Sequence, residues 1–451
     1  MAHDVLVVGG GNAGCAAALA AARHGARTLL VERYGFLGGT ATAAMVGPWM
    51  TFHSGDERIV GGIAQEIVER LVKMGASPGH VRDASDYVPT ITPFDPEIHK
   101  ALLFEMMAES GVDLLLHAYF LDALGTHGQS VTGGRFATVA GLREELATVT
   151  IDASADAYVA ASAGVEVQQG DAKGRVQPAT LIFRLSHVDL LETARYVREH
   201  PDQLRSSLTN AERTPERLTA VAGLYELWEG ARARGEVSVP RELVSFFATP
   251  YADEVIVNMT RVVGIDPLDP DDLTRAEVEA RGQVMELLGF FRRDVPGFAN
   301  CRLAATATQI GIRESRRIVG EYTLTREDVL EARAFDDAVA RSAYPIDIHN
   351  PSGSGTATQR LAPGTAYEIP YRCLVPAQVD GLLVAGRCIS TTHEALASTR
   401  LTPTVMTLGQ AAGTAAALAA ERKLRPRDVP IDVLRAQLVR DGVDLRRAAL
   451  A

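Results

Sequence analysis

The chain has 451 residues, 47% hydrophobic and 22% charged, with a formal net charge of −11; that length and balance suit two or three globular domains. An acidic surface repels phosphate backbones, which argues against nucleic-acid binding, and no apolar run approaches the roughly 20 residues of a membrane span. Four cysteines at 15, 301, 373 and 388 form no CxxC pair and no Cys/His cluster, so neither a disulfide framework nor a zinc site is expected, and a reducing cytoplasm is.

From the N-terminus, residues 4–8 read as a short apolar strand, 12–24 as an alanine-rich helix with Gly25 at its C-cap, and 28–31 as a second strand. Together they make a βαβ unit. Between strand and helix, Gly9-Gly10-Gly11-Asn12-Ala13-Gly14 fits G-x-G-x-x-G. Gly9 permits the tight turn, Gly11 lets backbone approach a diphosphate at the helix N-terminus, and Gly14 lets helix and strand close together. Glu32 ends the second strand, where a carboxylate accepts ribose hydroxyls and repels a 2′-phosphate. The expected nucleotide is therefore FAD or NAD rather than NADP. Gly38-Gly39-Thr40 follows closely, a second small-residue approach to the same diphosphate that favours a flavin. The "NAGC" of residues 12–15 mimics a lipoprotein box only loosely, because Asp4 stands where a basic residue belongs. A covalent flavin link at His53 has no motif behind it.

Residues from about 165 to 340 interrupt this unit. "QPATLIFRL" (177–185) and "DEVIVNMTRVVGID" (253–266) read as strands with a helical stretch between them. Alternation puts Thr180 with Arg184 on one face, and Asn258 with Thr260 on another. Gln309, Arg313 and Arg317 recur at four-residue spacing and are expected on one helix face. There they form an anion clamp or, as the favoured reading, pair with Glu314 and Glu321. No second strand–GxGxxG–helix unit is visible, so a dedicated NADPH domain is not expected. The electron partner stays open between oxygen, a quinone, another protein and a transiently bound nicotinamide.

Further on, "NPSGSGTATQRLAPG" (350–364) reads as a polar loop, and 381–385 as a buried strand with Gly386-Arg387 at its end. Then comes "STRLTPTVMTLGQAAGTAAALAA" (398–420), a slim helix with Thr402 at its N-cap and Pro403 at N1. Its first free amides, at residues 404–406, carry partial positive charge and suit the pyrimidine edge of a reduced flavin. Gly409 and Gly413, one turn apart, allow close packing on strands or cofactor. The basic run at 422–427 reads as a solvated helix flank.

The ordered set "VVGGGNAGCAAA", Glu32, "GGTAT", "IDASADA", "GIRESRRIVGEY", "YPIDIH", "YEIPYRCLVP", "LLVAGRC" and "GQAAG" spans nearly the whole chain. It resembles the bacterial FAD-dependent oxidoreductases of the glutathione-reductase-like class, on the branch near fumarate reductase flavoproteins. The resemblance implies an α/β fold: a three-layer, Rossmann-like FAD-binding domain with a parallel sheet, and an inserted α+β substrate domain whose small sheet covers the flavin. The corresponding segments are 1–165 and 341–425 for the FAD domain, 166–340 for the cap, and 426–451 for a helical tail. Non-covalent FAD would be held by Gly9, Gly11, Asn12, Ala13, Gly14, Glu32, Arg33, Gly38, Gly39 and Thr40, then by Asp156, Gly386, Arg387, Thr402, Pro403 and Thr404. One departure is Ala155, where the family usually has glycine.

Three residues are candidates for chemistry. His349, at the start of the polar loop, is a general acid or base beside the flavin, or a residue that holds the loop. His393 and Arg400 loosely resemble the His…Arg-Leu pair with which fumarate reductase flavoproteins hold a carboxylate; Arg400 would clamp an anion bidentately. The expected function is hydride transfer between a small organic substrate, an anion among the options, and flavin N5. The alternatives are a flavin subunit of an electron-relay or group-transfer complex, and a flavin-binding sensor. Two or four subunits are compatible with a chain of this length.

Overall fold

The computed structural model describes residues 3–205 and 218–445; the end of the expected C-terminal tail lies outside them. Strands with aliphatic centres make its main sheet. Asp113–Leu115, Thr28–Val31, His3–Val8, Gly141–Asp152 and Leu382–Val384 lie side by side and parallel. Val5 faces Thr28 on one side and Val149 on the other, and Thr150 faces Leu382. Residues 5–8, 29–31 and 382–384 are buried along their whole length, covered on both faces, which is why these stretches are continuously apolar rather than alternating. The long Gly141–Asp152 strand has a second use: its first half pairs antiparallel with Ser130–Thr138, which in turn pairs with Tyr119–Thr126.

The helix Asn12–Arg23 packs against the helix Thr402–Arg422. Their closeness is set by missing side chains. A Cβ on Gly409 would stand 2.0 Å from the Ala13 carbonyl oxygen, and one on Gly413 would stand 2.1 Å from that of Ala17. The expected close packing therefore occurs against the first helix. The slim helix differs from expectation at its start: Leu401 is the N-cap, Thr402 is its first residue and Pro403 its second, with no side-chain cap.

The second sheet is antiparallel, in the order Ala220–Gly223, Val244–Ala248, Glu254–Val257, Phe183–Ser186 and Arg302–Thr306. The 25-residue helix Pro270–Asp294 contributes Phe290 and Phe291 to a core shared with Trp228, Phe246 and Phe298. Asp269 caps that helix by accepting from the Asp271 amide. The apolar cores divide accordingly: one joins the main sheet, the glycine-rich helices and residues such as Ile318, Val339 and Leu434, the other belongs to the second sheet.

Four segments depart from the sequence reading. The two strands expected at 177–185 and 253–266 shorten to Phe183–Ser186 and Glu254–Val257, with bridges from Ala179 to Val262 and Thr180 to Gly311. The polar loop contains a hairpin arm, Thr356–Gln359, paired with Ile346–His349. No helix carries Gln309, Arg313 and Arg317; Arg316–Ile318 is a strand paired with Val167–Gln169. Long-range strand pairing overrides the four-residue periodicity there, and the three side chains part company. Among the described residues, no helix is long and apolar enough to cross a membrane.

Candidate functional site

The nucleotide end is built where the first two strands finish. Gly9 has φ +107°, and a Cβ there would meet the Ala153 carbonyl oxygen at 2.5 Å; on Gly14 it would lie 1.8 Å from the Gly9 oxygen. Both positions admit only glycine. Gly11 differs, since its nearest neighbour would be the Gly39 Cα at 3.8 Å, which leaves room above the turn. The helix that begins at Asn12 has no side-chain cap and no acid in its first turn. Its amide end is therefore left for an anion. Glu32 accepts from the Gly10 amide at 2.6 Å and the Tyr34 amide at 3.0 Å. Burial pushes its carboxyl up, against those two amides. The loop at Gly38 closes on this turn, its amide donating to Gly10 O at 2.8 Å, with Gly39 and Thr40 following in a short turn. Arg33 donates to Gln309 Oε1 at 3.0 Å, and the Tyr34 hydroxyl also donates to that oxygen.

Asn12 is held from the far side by His99, Nε2 to Oδ1 at 3.1 Å. The second half of the chain joins at Gly386, where an added Cβ would lie 3.5 Å from the Cβ of Ala13. Its neighbour Arg387 is paired with Asp156, whose Oδ1 also accepts from Ser315 Oγ. Arg387 Nε is buried without a partner. The intervening turn has Ala155 at φ +71° and Ala157 at φ +53°. Asp152 holds that turn, accepting from the Ser154 and Ala160 amides. The glycine cradle, two uncapped helix ends and an orphaned guanidinium nitrogen fit a dinucleotide with a flavin.

Of the three candidates for chemistry, His349 and Arg400 come together and His393 stands apart. Asp347 is the hub. Its carboxylate accepts from the Tyr87 hydroxyl at 2.7 Å, lies 3.3 Å from His349 Nε2, and lies 3.9 Å from Arg400 Nη2. Burial opposes ionisation there, yet His349, Arg400 and Tyr87 hold Asp347 below the usual carboxylate range. Arg261 donates to His349 Nδ1 at 2.9 Å. A guanidinium only donates, so the imidazole proton sits on Nε2, facing Asp347. Burial, then Arg313 and Arg400, pulls His349 down to about 3, against the pull of Asp347. Arg400 caps the helix His393–Thr399, which directly precedes the helix Thr402–Arg422. At the start of the latter, Thr404 Oγ1 bonds Ser342 Oγ at 3.1 Å, and Thr407 bonds the Pro403 carbonyl.

His393 bonds Glu314 at 2.8 Å, and the fully buried Glu314 also pairs with Arg317 at 2.6 Å. The pairing favoured for Arg317 is therefore present, on a strand instead of a helix. Gln309 goes to Arg33, and Arg313 donates to the Pro178 carbonyl and Thr180 Oγ1, both at 2.7 Å. His53 bonds Thr90 at 2.9 Å. All four cysteines are free and buried; burial raises each thiol. Sequence reading did not single out Asp347, Tyr87, Gln177, Arg241 or Arg261. Asp347 was legible only as part of "YPIDIH", and the arginines carry no local signature.

A family model described as FAD dependent oxidoreductase matches residues 4–438. Similar solved structures include a geranylgeranyl bacteriochlorophyll reductase-like protein of Thermoplasma acidophilum, at 13% identity over 97% of this chain and 82% of that one, TM-score 0.47. Others are a myxobacterial chondrochloren halogenase, at 14% identity, 97% and 78% coverage and TM-score 0.48, and p-nitrophenol 4-monooxygenase of Pseudomonas putida, at 12%, 97%, 80% and 0.43. Among curated proteins nothing matches significantly.

Proposed function

The chain belongs to the FAD-dependent oxidoreductase family, and from that premise we propose that it moves hydride between a small organic substrate and flavin N5, in the manner of flavoproteins near the fumarate reductase branch. The observation that supports this most is the Asp347–His349–Arg400 network immediately before the uncapped start of the helix Thr402–Arg422. When bound, FAD supplies a two-electron acceptor or donor at its ring.

The chain's own residues do the rest. The Gly9–Gly14 turn and its helix end would hold the diphosphate, Glu32 would take ribose hydroxyls, and Asp156 with Arg387 would contribute further contacts to FAD. The amides that open the helix Thr402–Arg422 have no side-chain cap and would stabilise negative charge on a bound flavin. Arg400 orients an anionic group of the substrate. As hydride leaves a substrate C–H bond, the proton from the adjoining heteroatom passes to His349 Nδ1. Asp347 fixes the tautomer that exposes that lone pair. Arg261 occupies Nδ1 in this structure, so its guanidinium must shift when substrate arrives.

The first test is the visible spectrum of the purified protein, followed by anaerobic reduction with NADH, NADPH and organic donors. A two-banded flavin spectrum is expected; a colourless protein that cannot be reconstituted with FAD overturns the reading. With any substrate that turns over, His349→Ala should keep its FAD and lose roughly 10²- to 10⁴-fold in kcat, the usual range for a proton-transfer group. Unchanged turnover at every pH removes His349 from that role.

A further inference from the structure

Arg241, Arg261, Arg313 and Arg400 lie within electrostatic reach of one another, and Arg261 and Arg400 are joined through His349 and Asp347. They come from four separate segments. Arg241 donates to the Asn258 carbonyl at 2.9 Å, and Arg261 to His349 at 2.9 Å and the Gly355 carbonyl at 3.1 Å. Arg313 is held by Pro178 and Thr180, and Arg400 by the Asp347 carbonyl at 3.4 Å. The carboxylates acting on this group are Asp347 and Glu242. With His349 neutral, four positive charges meet two negative ones.

Arg261 is buried and the other three are partly buried, and a surplus of charge so withdrawn from water is costly unless something pairs with it. Burial, then Arg400, Arg241 and Arg261, pulls the Arg313 guanidinium far below its usual range. Arginine does not shed its proton in a protein, so the surplus remains until an anion relieves it. Polar atoms are also left over. Arg400 Nε, Gln177 Nε2 and Asn258 Oδ1 are buried without partners. Gln177 is 1% exposed, and its other amide atom accepts from the His349 backbone at 3.2 Å.

We propose that Arg241, Arg261, Arg313 and Arg400, with the Gln177 amide, form the binding site of a small doubly charged oxyanion, which is the substrate of the oxidoreductase. This rests on the FAD-dependent reading for its chemistry, but not for its binding. Two charges match the surplus. Guanidinium forks suit carboxylate and phosphate oxygens alike, so a dicarboxylate and a phosphomonoester are the two sources of the same chemistry.

The test uses the full-length protein in a phosphate-free, low-salt buffer. Linear dicarboxylates from malonate to adipate, inorganic phosphate, and butyrate as a singly charged control are titrated by calorimetry and by thermal shift. One dianion class should bind at least about tenfold tighter than butyrate, as a second charge-assisted contact implies; which class does so separates the two sources. Arg313→Gln should lose that preference and, without anion, melt no lower than the parent, because a repelling charge has gone. Arg313→Lys should recover part of the binding. Equal binding of dianions and butyrate overturns the proposal. So does an Arg313→Gln protein that melts lower without anion yet keeps the preference. Neither readout needs flavin, so a colourless protein that still prefers dianions would sink the redox reading and leave this site standing.

Discussion

Ala155 sits at φ +71° in the turn that presents Asp156. An L-residue with a side chain pays roughly 1–2 kcal/mol for that region. The turn holds because Asp152 ties down both of its ends and Asp156 is fixed by Arg387 and Ser315. Ala155→Gly should therefore raise the melting temperature, by up to about 1 kcal/mol of stability once the extra freedom of the unfolded glycine is subtracted. Thermal unfolding at equal FAD content checks it; a lower Tm would show that the methyl group has a packing role. Sequence alone singled out this alanine, because its neighbours form a recognisable motif. It also singled out His349 and Arg400, which flank the hairpin and the slim helix. It missed Arg261 and Arg241, because nothing around an isolated arginine in a strand-rich stretch says which way its side chain turns.

At the scale of elements, two helices show how glycine changes meaning with its surroundings. Gly409 presses on the Ala13 carbonyl, whereas a Cβ on Gly282, in the helix Pro270–Asp294, would meet nothing within 4 Å. Gly282→Ala should stabilise by about 1 kcal/mol through helix propensity alone. Gly409→Ala should destabilise by about 1–3 kcal/mol or more through overpacking. Because Ala13 belongs to the nucleotide turn, the second variant should also retain less FAD. Thermal unfolding, read with the flavin-to-protein absorbance ratio, separates the two effects; equal Tm changes would refute the contrast. The slim helix was legible because its proline, small residues and period all lie within the element. The segment 309–317 was misread as a helix because its bridge from Gly311 to Thr180, and the pairing of the following strand with Val167–Gln169, are invisible to local spacing.

Across the molecule, three histidines, His80, His99 and His349, are held in the neutral form. Burial holds His99 and His349 at about 3, and His80, with help from His53 and Arg58, at about 4. Each folded value lies below the ordinary 6.5, so between those limits the unfolded chain takes up protons that the native chain refuses. The stability contribution is complete above pH 6.5 and is lost as pH falls toward the folded values. For His99 the slope is about 1.4 kcal/mol per pH unit. Unfolding midpoints in urea at pH 7, 6 and 5 should therefore fall steeply. His99→Gln keeps a donor for Asn12 and removes the titration, so its midpoint should fall less over the same range. Parallel pH profiles would show that His99 does not carry this linkage.

What the sequence by itself determined is local and covalently close: the βαβ unit with its G-x-G-x-x-G turn, Glu32, and the late helix with paired glycines. Each rests on dihedral freedom and periodicity within about twenty residues, which chain chemistry alone dictates. The tertiary structure decided what needed several segments at once. It brought Gly386 against Ala13 and gathered Arg241, Arg261, Arg313 and Arg400 around His349 and Asp347. It also turned His393 away to Glu314. The physical reason is that charge and burial act through space. Their balance at the site depends on which distant residues share it, and spacing along the chain carries no record of that.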